Sequence, residues 1–307
     1  MAQSIYTDLA SEARELHPDL PGVSEETVQK GDIGVTRIRV ETAQAAQALS
    51  KPIGRYITLD VPKLSERPLS LFAETSKALA KELQALFAPL DEEATVLLVG
   101  LGNRTVTPDA LGPRAIDQIY VTRHVAQYLP DAFSAPVRSV CAIAPGVLGV
   151  TGLETMEVVR GVVAHVKPSL LLLIDALASR RTARISTTIQ LTDTGIQPGS
   201  GVGNARAGLG RDTFGIPVIA IGVPMVVYAS TISQDTLSIL AAEMGFAQKE
   251  DTLRALAEKV AEENFGPLIV TPKDIDSIVT DMSRVVADGI NMALFGASYE
   301  QVRALIA

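Results

Sequence analysis

The chain predicts an α/β fold: one domain on a mostly parallel sheet with helices on both faces. Three observations predict it. Several short runs are apolar at every position, as in Val96-Leu97-Leu98-Val99, Leu170-Leu171-Leu172-Leu173-Ile174 and Pro217-Val218-Ile219-Ala220-Ile221. Strands of that kind are buried on both faces. From residue 95 onward such runs alternate with amphipathic helical patterns, which is the order of a strand–helix–strand fold. The length of 307 residues, with 47% hydrophobic and 20% charged residues, suffices for one large domain with a sizeable core.

The elements follow in order. Residues 1–30 carry many charges, His17-Pro18 and Leu20-Pro21-Gly22, and little periodicity. They read as an unsettled tail or removable segment. Residues 33–40 and 55–60 alternate apolar and polar side chains as strands do, and 69–87 reads as an amphipathic helix. Strand 95–100 precedes a helix at 113–128. Strand 138–144 precedes a helix at 152–166. Strand 170–175 leads through a short connection to strand 185–191, and 217–223 is a fully apolar strand. Helices follow at 231–245, 250–263 and 272–294. There is no internal repeat and no low-complexity tract.

The composition narrows the function. A net charge of −8 disfavours a basic nucleic-acid-gripping face, while leaving basic proteins open as partners. The single cysteine, Cys141, excludes an internal disulfide and fits a reducing cytosol. Within Val140-Cys141-Ala142-Ile143 it reads as a small buried strand residue rather than a thiol nucleophile. The N-terminus has no basic and apolar signal pattern, and no stretch approaches the ~18 apolar residues of a membrane span. His17, His124 and His165 lie far apart, without a Cys-x-x-Cys or His-Glu-x-x-His spacing, which argues against zinc.

Two aspartates carry the candidate chemistry. Asp175 closes the run Leu170 to Ile174, where an unpartnered carboxylate is costly. Asp109 lies in Thr107-Pro108-Asp109-Ala110-Leu111-Gly112-Pro113, after the strand ending in Gly100-Leu101-Gly102-Asn103. Thr107 and Pro108 also suit a helix start, where an acidic residue is at home, so a purely structural Asp109 stays open. Both sit at the carboxyl ends of predicted strands, the edge where such folds place their sites. Paired carboxylates can divide base and acid work when their surroundings separate their pKa values. The apolar strand should raise Asp175 into the acid role, and a nearby helix N-terminus should keep Asp109 ionised as the base. Gly100-Leu101-Gly102-Asn103 lacks the third glycine of a dinucleotide loop and the Gly-Lys-Ser/Thr of a P-loop, so a tight turn explains it better. Asp193-Thr194-Gly195 resembles the pepsin-like triplet, yet that triplet occurs twice in an all-β setting and here once. The loop containing Gly199, Ser200, Gly201 and Asn204 can line a substrate groove or simply connect.

Several long motifs are similar to those of the germination protease family of spore-forming bacteria. They include Val99-Gly100-Leu101-Gly102-Asn103, Val106-Thr107-Pro108-Asp109-Ala110-Leu111-Gly112-Pro113, Val121-Thr122-Arg123-His124, Ile174-Asp175-Ala176-Leu177-Ala178 and Pro198-Gly199-Ser200-Gly201-Val202-Gly203-Asn204. The resemblance spans nearly the whole chain. It implies an endopeptidase made as a zymogen in the cytoplasm of the forespore and spore core. Its implied substrates are the small acid-soluble proteins that coat spore DNA, with no direct nucleic-acid contact, no membrane, no cofactor and a homo-oligomeric, homotetrameric state. The family's essential aspartates match Asp109 and Asp175. The implied fold is similar to that of hydrogenase maturation endopeptidases, which bind nickel through two acidic residues and a histidine. No histidine here occupies an equivalent place, and Gln197 stands where many family members have a loop histidine, so no metal is expected. A metal-assisted maturation endopeptidase and a non-catalytic peptide-binding module are the alternatives. The chain also looks several tens of residues shorter than Bacillus relatives before Val270.

Thr7-Asp8-Leu9-Ala10-Ser11-Glu12 resembles the family's substrate site, in which Thr-Glu precedes the cut and Phe or Ile-Ala-Ser-Glu follows it. The resemblance implies a self-cut between Asp8 and Leu9 in a mobile tail, although Thr7 or Asp8 could also cap a short helix. Residues 1–8 are then a propeptide, and 9–307 a single α/β peptidase domain with an N-terminal extension to about residue 90. An acidic residue before the cut calls for a basic pocket, with Arg123, Arg180 and Arg181 as candidates.

Overall fold

The computed structural model describes residues 7–87, 90–91, 94–129, 133, 137–196, 208–244 and 268–306. Among these residues the strands are β1 (Val23–Lys30), β2 (Ile33–Val40), β3 (Gly54–Asp60), β4 (Val96–Gly100), β5 (Val140–Ile143), β6 (Leu170–Ser179), β7 (Thr188–Thr192), β8 (Val218–Tyr228) and β9 (Ile269–Val270). They form one sheet in the order β1-β2-β3-β7-β8-β6-β4-β5, with β9 added to β8.

The sheet is mixed, which corrects the expectation of a mostly parallel one. Parallel pairing is confined to β5/β4, β4/β6 and β6/β8. The pairs β1/β2, β2/β3, β3/β7, β7/β8 and β8/β9 are antiparallel. The cause lies in the connections. A parallel return needs a crossover of a dozen or more residues. β6 instead passes to β7 through a single 3-10 turn, Thr182–Arg184, so β7 runs back the other way and brings β3, β2 and β1 with it.

Helices do cover both faces of the parallel half. On one side Leu69–Phe87, Leu111–Ile116 and Ile275–Phe295 bury Leu79, Leu83, Leu111, Val286 and Ile290 against Leu98, Leu172 and Ile174. On the other, helix Thr155–Val166 sets Val159 against Leu97, Val99, Leu171 and Leu173. Each fully buried leucine here is worth about 1.5–3 kcal/mol over an exposed one. A third cluster seats helices Ala10–Leu16 and Ala43–Leu49 on Ile38, Val40 and Tyr56.

Several boundaries depart from the sequence reading. The expected helix at 113–128 is two, Leu111–Ile116 and Arg123–Tyr128. The chain between them is captured by its neighbours, Tyr120 N–H bonding Asn291 Oδ1 (3.0 Å) and Thr122 N–H bonding Val140 O (3.0 Å). Helix Thr155–Val166 starts late because Glu154 and Glu157 close a capping box there. The expected helix at 250–263 lies outside the described residues. The largest correction concerns residues 1–30. Ala10–Leu16 is a helix and Val23–Lys30 a strand, and Leu9, Ala10 and Glu12 are fully buried.

One feature of the topology positions the candidate site. β4 ends at Gly100, paired with Ile174, while β6 runs on to Ser179. Beyond β4 the edge of β6 is taken by the N-terminal segment. Asp8 N–H bonds Ala178 O (2.9 Å), and Ala178 N–H bonds Asp8 Oδ2 (2.7 Å).

Candidate active site

Asp109 is held by the loop that leaves β4. Leu101 N–H still reaches Ile174 O (2.8 Å), after which Gly102 turns with φ +114°. A Cβ at Gly102 would lie 2.0 Å from Asp109 O, so only glycine lets the loop wrap the aspartate this closely. Asn103 N–H then donates to Asp109 Oδ2 at 2.7 Å. The 3-10 turn Thr107–Asp109 is pinned from the far side by Thr107 Oγ1, which donates to Asp276 Oδ1 (2.9 Å). Gly112 lets the next helix rest on the strand ends. A Cβ there would stand 2.3 Å from Leu101 O and 2.6 Å from Ile174 O. This close approach carries Asp109 into Coulombic reach of Asp175. Asp109 does not cap helix Leu111–Ile116, and its hydrogen-bonding partner is the Asn103 amide.

Asp175 stands on β6 one residue beyond Ile174, with its Oδ1 accepting from Ala176 N–H (2.9 Å). Burial holds its carboxyl well above the usual carboxylate range, and the charges of Asp109 and then Asp8 push the same way. Burial also raises Asp109, but the Asn103 amide favours its ionised form. Each carboxyl accepts one backbone N–H, and the two environments differ in that Asp175 also feels two neighbouring negative charges. The donor that favours an ionised Asp109 is the loop amide of Asn103.

Both aspartates open onto a cavity of about 1170 Å³ that is also lined by Asp8, Lys51, Gln190 and Tyr228. The Thr7–Glu12 segment is therefore at the site, seated rather than in a mobile tail. Glu12 is the anchor. Its carboxylate accepts from Arg180 N–H (2.7 Å) and Arg181 N–H (3.0 Å), pairs with Arg184 Nε (3.4 Å) and accepts from Thr7 Oγ1. Arg184 in turn reaches Glu15 (2.6 Å) and Asp60 (2.6 Å). Leu9 N–H bonds Thr7 Oγ1 (3.1 Å), Asp8 O accepts from Gln190 Nε2 (3.1 Å), and Ala10 N–H bonds Gln190 Oε1 (2.6 Å). Lys51 Nζ donates to Thr7 O (2.9 Å). Burial lowers the pKa of Lys51, opposed by the charges of Asp8 and Glu12.

The remaining candidates are placed as follows. The Arg180 side chain pairs with Asp235 (2.8 Å) and that of Arg181 with Glu15 (2.9 Å), while both backbone amides hold Glu12. Arg123 lies in the field of Cys141, whose thiol is raised by burial and lowered by that arginine. Lys51 feels the charge of Asp8. Gly199, Ser200, Gly201 and Asn204 lie outside the described residues, as does Gln197; the flanks of their loop, Gly195 and Ile196 before it and Gly208 after it, line the cavity. Asp193 of the Asp-Thr-Gly triplet is tied to Arg55, by the backbone N–H at 2.8 Å and by Nε at 2.7 Å. Among the described residues no three histidine, cysteine or acidic side chains group as a metal site would require.

Sequence reasoning missed Gln190, Lys51 and Arg184, and had Glu12 only as the last residue of the cleavage-site hexapeptide. Gln190 left one signal, a glutamine at the centre of a strand whose five residues are all buried. Lys51 and Arg184 left none, because their partners lie far away in sequence.

The fold and site define an α/β protein with a carboxylate pair in a cavity lined in part by its own N-terminal segment. The germination protease family model matches residues 1–267. The germination protease of Caldanaerobacter subterraneus subsp. tengcongensis is 46% identical over 305 residues, covering 94% of each chain. That of Clostridium tetani is 43% identical over 309 residues, covering 95% of each. That of Bacillus subtilis is 38% identical over 343 residues, covering 94% of this chain and 93% of its own. The chain belongs to the germination protease family. It is a peptidase of spore germination acting on spore proteins. No helix among the described residues is long and apolar enough to cross a membrane.

Proposed function

We propose that this peptidase degrades the small acid-soluble proteins that coat spore DNA, and that it is made as a zymogen that cuts itself between Asp8 and Leu9. Residues 1–8 are then the propeptide. The enzyme works as a homotetramer in the cytoplasm of the forespore and spore core. Asp109 takes a proton from water as its oxygen adds to the scissile carbonyl carbon. Asp175 gives a proton to the leaving amine as the C–N bond breaks. The two carboxylates titrate as a pair. The observation that carries the reading is that one cavity holds Asp109, Asp175 and Asp8, the residue before the expected cut. The different surroundings of the two carboxyls support the division of labour.

The test is to incubate the purified protein with a small acid-soluble spore protein across pH and to map the cut by mass. Asp109→Asn and Asp175→Asn should each lower cleavage by ~10²–10⁴-fold with the fold retained, as loss of a proton-transfer group does. Near-normal cleavage by either variant refutes the pair. Chelation should leave activity unchanged, and activity lost to EDTA and restored by one metal would favour a metal-assisted peptidase.

A further inference from the structure

We propose that Gln190 is the group that grips the bond to be cut: its Nε2–H polarises the scissile carbonyl, and its Oε1 fixes the peptide unit beyond the cut. The inference rests on the self-cleavage reading above, and extends to spore-protein substrates carrying the same hexapeptide.

The geometry is on the two sides of one side-chain amide. Gln190 Nε2 donates to Asp8 O at 3.1 Å, the carbonyl oxygen of the Asp8–Leu9 bond. Gln190 Oε1 accepts from Ala10 N–H at 2.6 Å. A backbone carbonyl can only accept and a backbone N–H can only donate, so these partners fix which end of the amide is which. The leaving nitrogen, Leu9 N, is held separately by Thr7 Oγ1 at 3.1 Å, and that hydroxyl donates onward to Glu12. Both halves of the scissile peptide are therefore gripped.

The sheet puts Gln190 and Asp175 on one face. Asp175 of β6 is in register with Gly222 of β8, and Gly222 is in register with Gln190 of β7. Residues in one register row send their side chains to the same side of the sheet. Two strand spacings of about 4.7–4.9 Å separate Asp175 from Gln190. The residue between them is a glycine, and a Cβ there would meet Leu177 Cδ1 at 2.5 Å. The row thus holds a carboxyl, a glycine covered by the Leu177 side chain, and an amide donor. Gln190 is itself buried, so its donor meets the developing charge with little water to compete.

In the reaction, water oxygen bonds to the Asp8 carbonyl carbon and its proton passes to Asp109. The carbonyl π pair moves onto the oxygen that Gln190 Nε2–H holds. When the pair returns, the C–N bond breaks and Leu9 N takes a proton from Asp175. The products are an Asp8 carboxyl and a Leu9 amine.

The experiment follows self-cleavage of the full chain at Asp8–Leu9 by intact mass, across pH, with hydrogen exchange of the Ala178 amide reporting whether Asp8 is still seated. Gln190→Met should slow cleavage about 10²–10³-fold, the usual effect of losing such a donor, with Ala178 still protected. Gln190→Glu keeps the acceptor for Ala10 N–H. It should be slow near neutral pH, and its rate relative to wild type should rise as pH falls and the new carboxyl gains a proton to donate. A merely structural glutamine would not produce that pH-dependent ratio. A Gln190→Met rate within about threefold of wild type overturns the inference, as does a Gln190→Glu ratio flat with pH, which decides alone if the methionine variant does not fold. If the wild-type chain leaves Asp8–Leu9 intact, the self-cleavage reading falls as well. If wild type cuts there and only the Gln190 results fail, the self-cleavage reading stands without Gln190.

Discussion

Replacing Glu12 with alanine should unseat the N-terminal segment and leave the rest of the molecule folded. Glu12 is fully buried, and its carboxylate satisfies two backbone donors, Arg180 N–H and Arg181 N–H, as well as Arg184 Nε. Removing one partner of a buried, hydrogen-bonded charge pair costs about 3–5 kcal/mol, because the other groups are left without compensation. At about 1.36 kcal/mol per factor of ten, that multiplies the opening of residues 7–16 by roughly 10²–10⁴. The cost falls locally, since helix Ala10–Leu16 packs on its own small cluster with Ile38, Val40 and Tyr56, apart from the main core. Native-state hydrogen exchange at Ala178, Arg180 and Arg181 reads the opening directly, and self-cleavage at Asp8–Leu9 should slow in step with it. Glu12→Gln keeps an acceptor and should fall between wild type and alanine. Unchanged protection at those amides in Glu12→Ala would refute the account of Glu12 as the anchor.

Asp175→Asn should be more stable than wild type at neutral pH. The folded state raises this pKa above the ordinary 3.8, so the folded chain binds more protons than the unfolded one above that pH and loses stability as pH rises; thermal unfolding should show the variant's advantage shrinking toward pH 3.8 and below. Equal melting behaviour of the two proteins at all pH values would contradict the burial of that charge. Gly102→Ala should destabilise the chain by about 1–3 kcal/mol or more, because φ is +114° and the new Cβ meets Asp109 O, and should cut peptidase activity by loosening the Asn103 grip on Asp109; denaturant midpoints and cleavage rates measure both. N-terminal sequencing after processing should give Leu-Ala-Ser-Glu, and a fully active enzyme that keeps its first eight residues would show that they are no propeptide.

Apolar runs made the parallel half of the sheet legible. Leu170 to Ile174 announced β6, although the strand runs past Asp175 to Ser179 where the sequence reading ended it at 175, and Val96 to Gly100 announced β4. Strand direction was not legible, because it depends on how long each connection is in space. Thr182–Arg184 looked like any short link, yet its brevity turns β7 antiparallel and makes the sheet mixed. The N-terminal region misled for an electrostatic reason. The many charges of residues 1–30 read as an unsettled tail, and nothing local shows that Arg184, 169 residues from Glu15, pairs with Glu12 and Glu15. Asp109 was legible by motif, but its Asn103 donor required the left-handed turn at Gly102 to be seen.

The strand period explains why the site and the seated peptide belong together. Along β6 successive residues turn their backbone groups to opposite neighbours. Ile174 O faces β4 and takes Leu101 N–H, so Ala178, four residues on, presents its groups to the same side, where β4 has already ended. That open edge is a template for an added chain, and Asp8 fills it with both its N–H and its carboxylate. Asp175 lies three residues before Ala178, about 10 Å along the strand at ~3.3 Å per residue. A peptide bound through Ala178 thus has its register to the carboxyl set by the strand itself. Slipping that register by one residue would face the peptide with a side of β6 whose backbone groups are already bonded to β8. The early end of β4 therefore does two things at once: it frees the edge that receives a peptide, and it opens the loop that carries Asp109 over to Asp175.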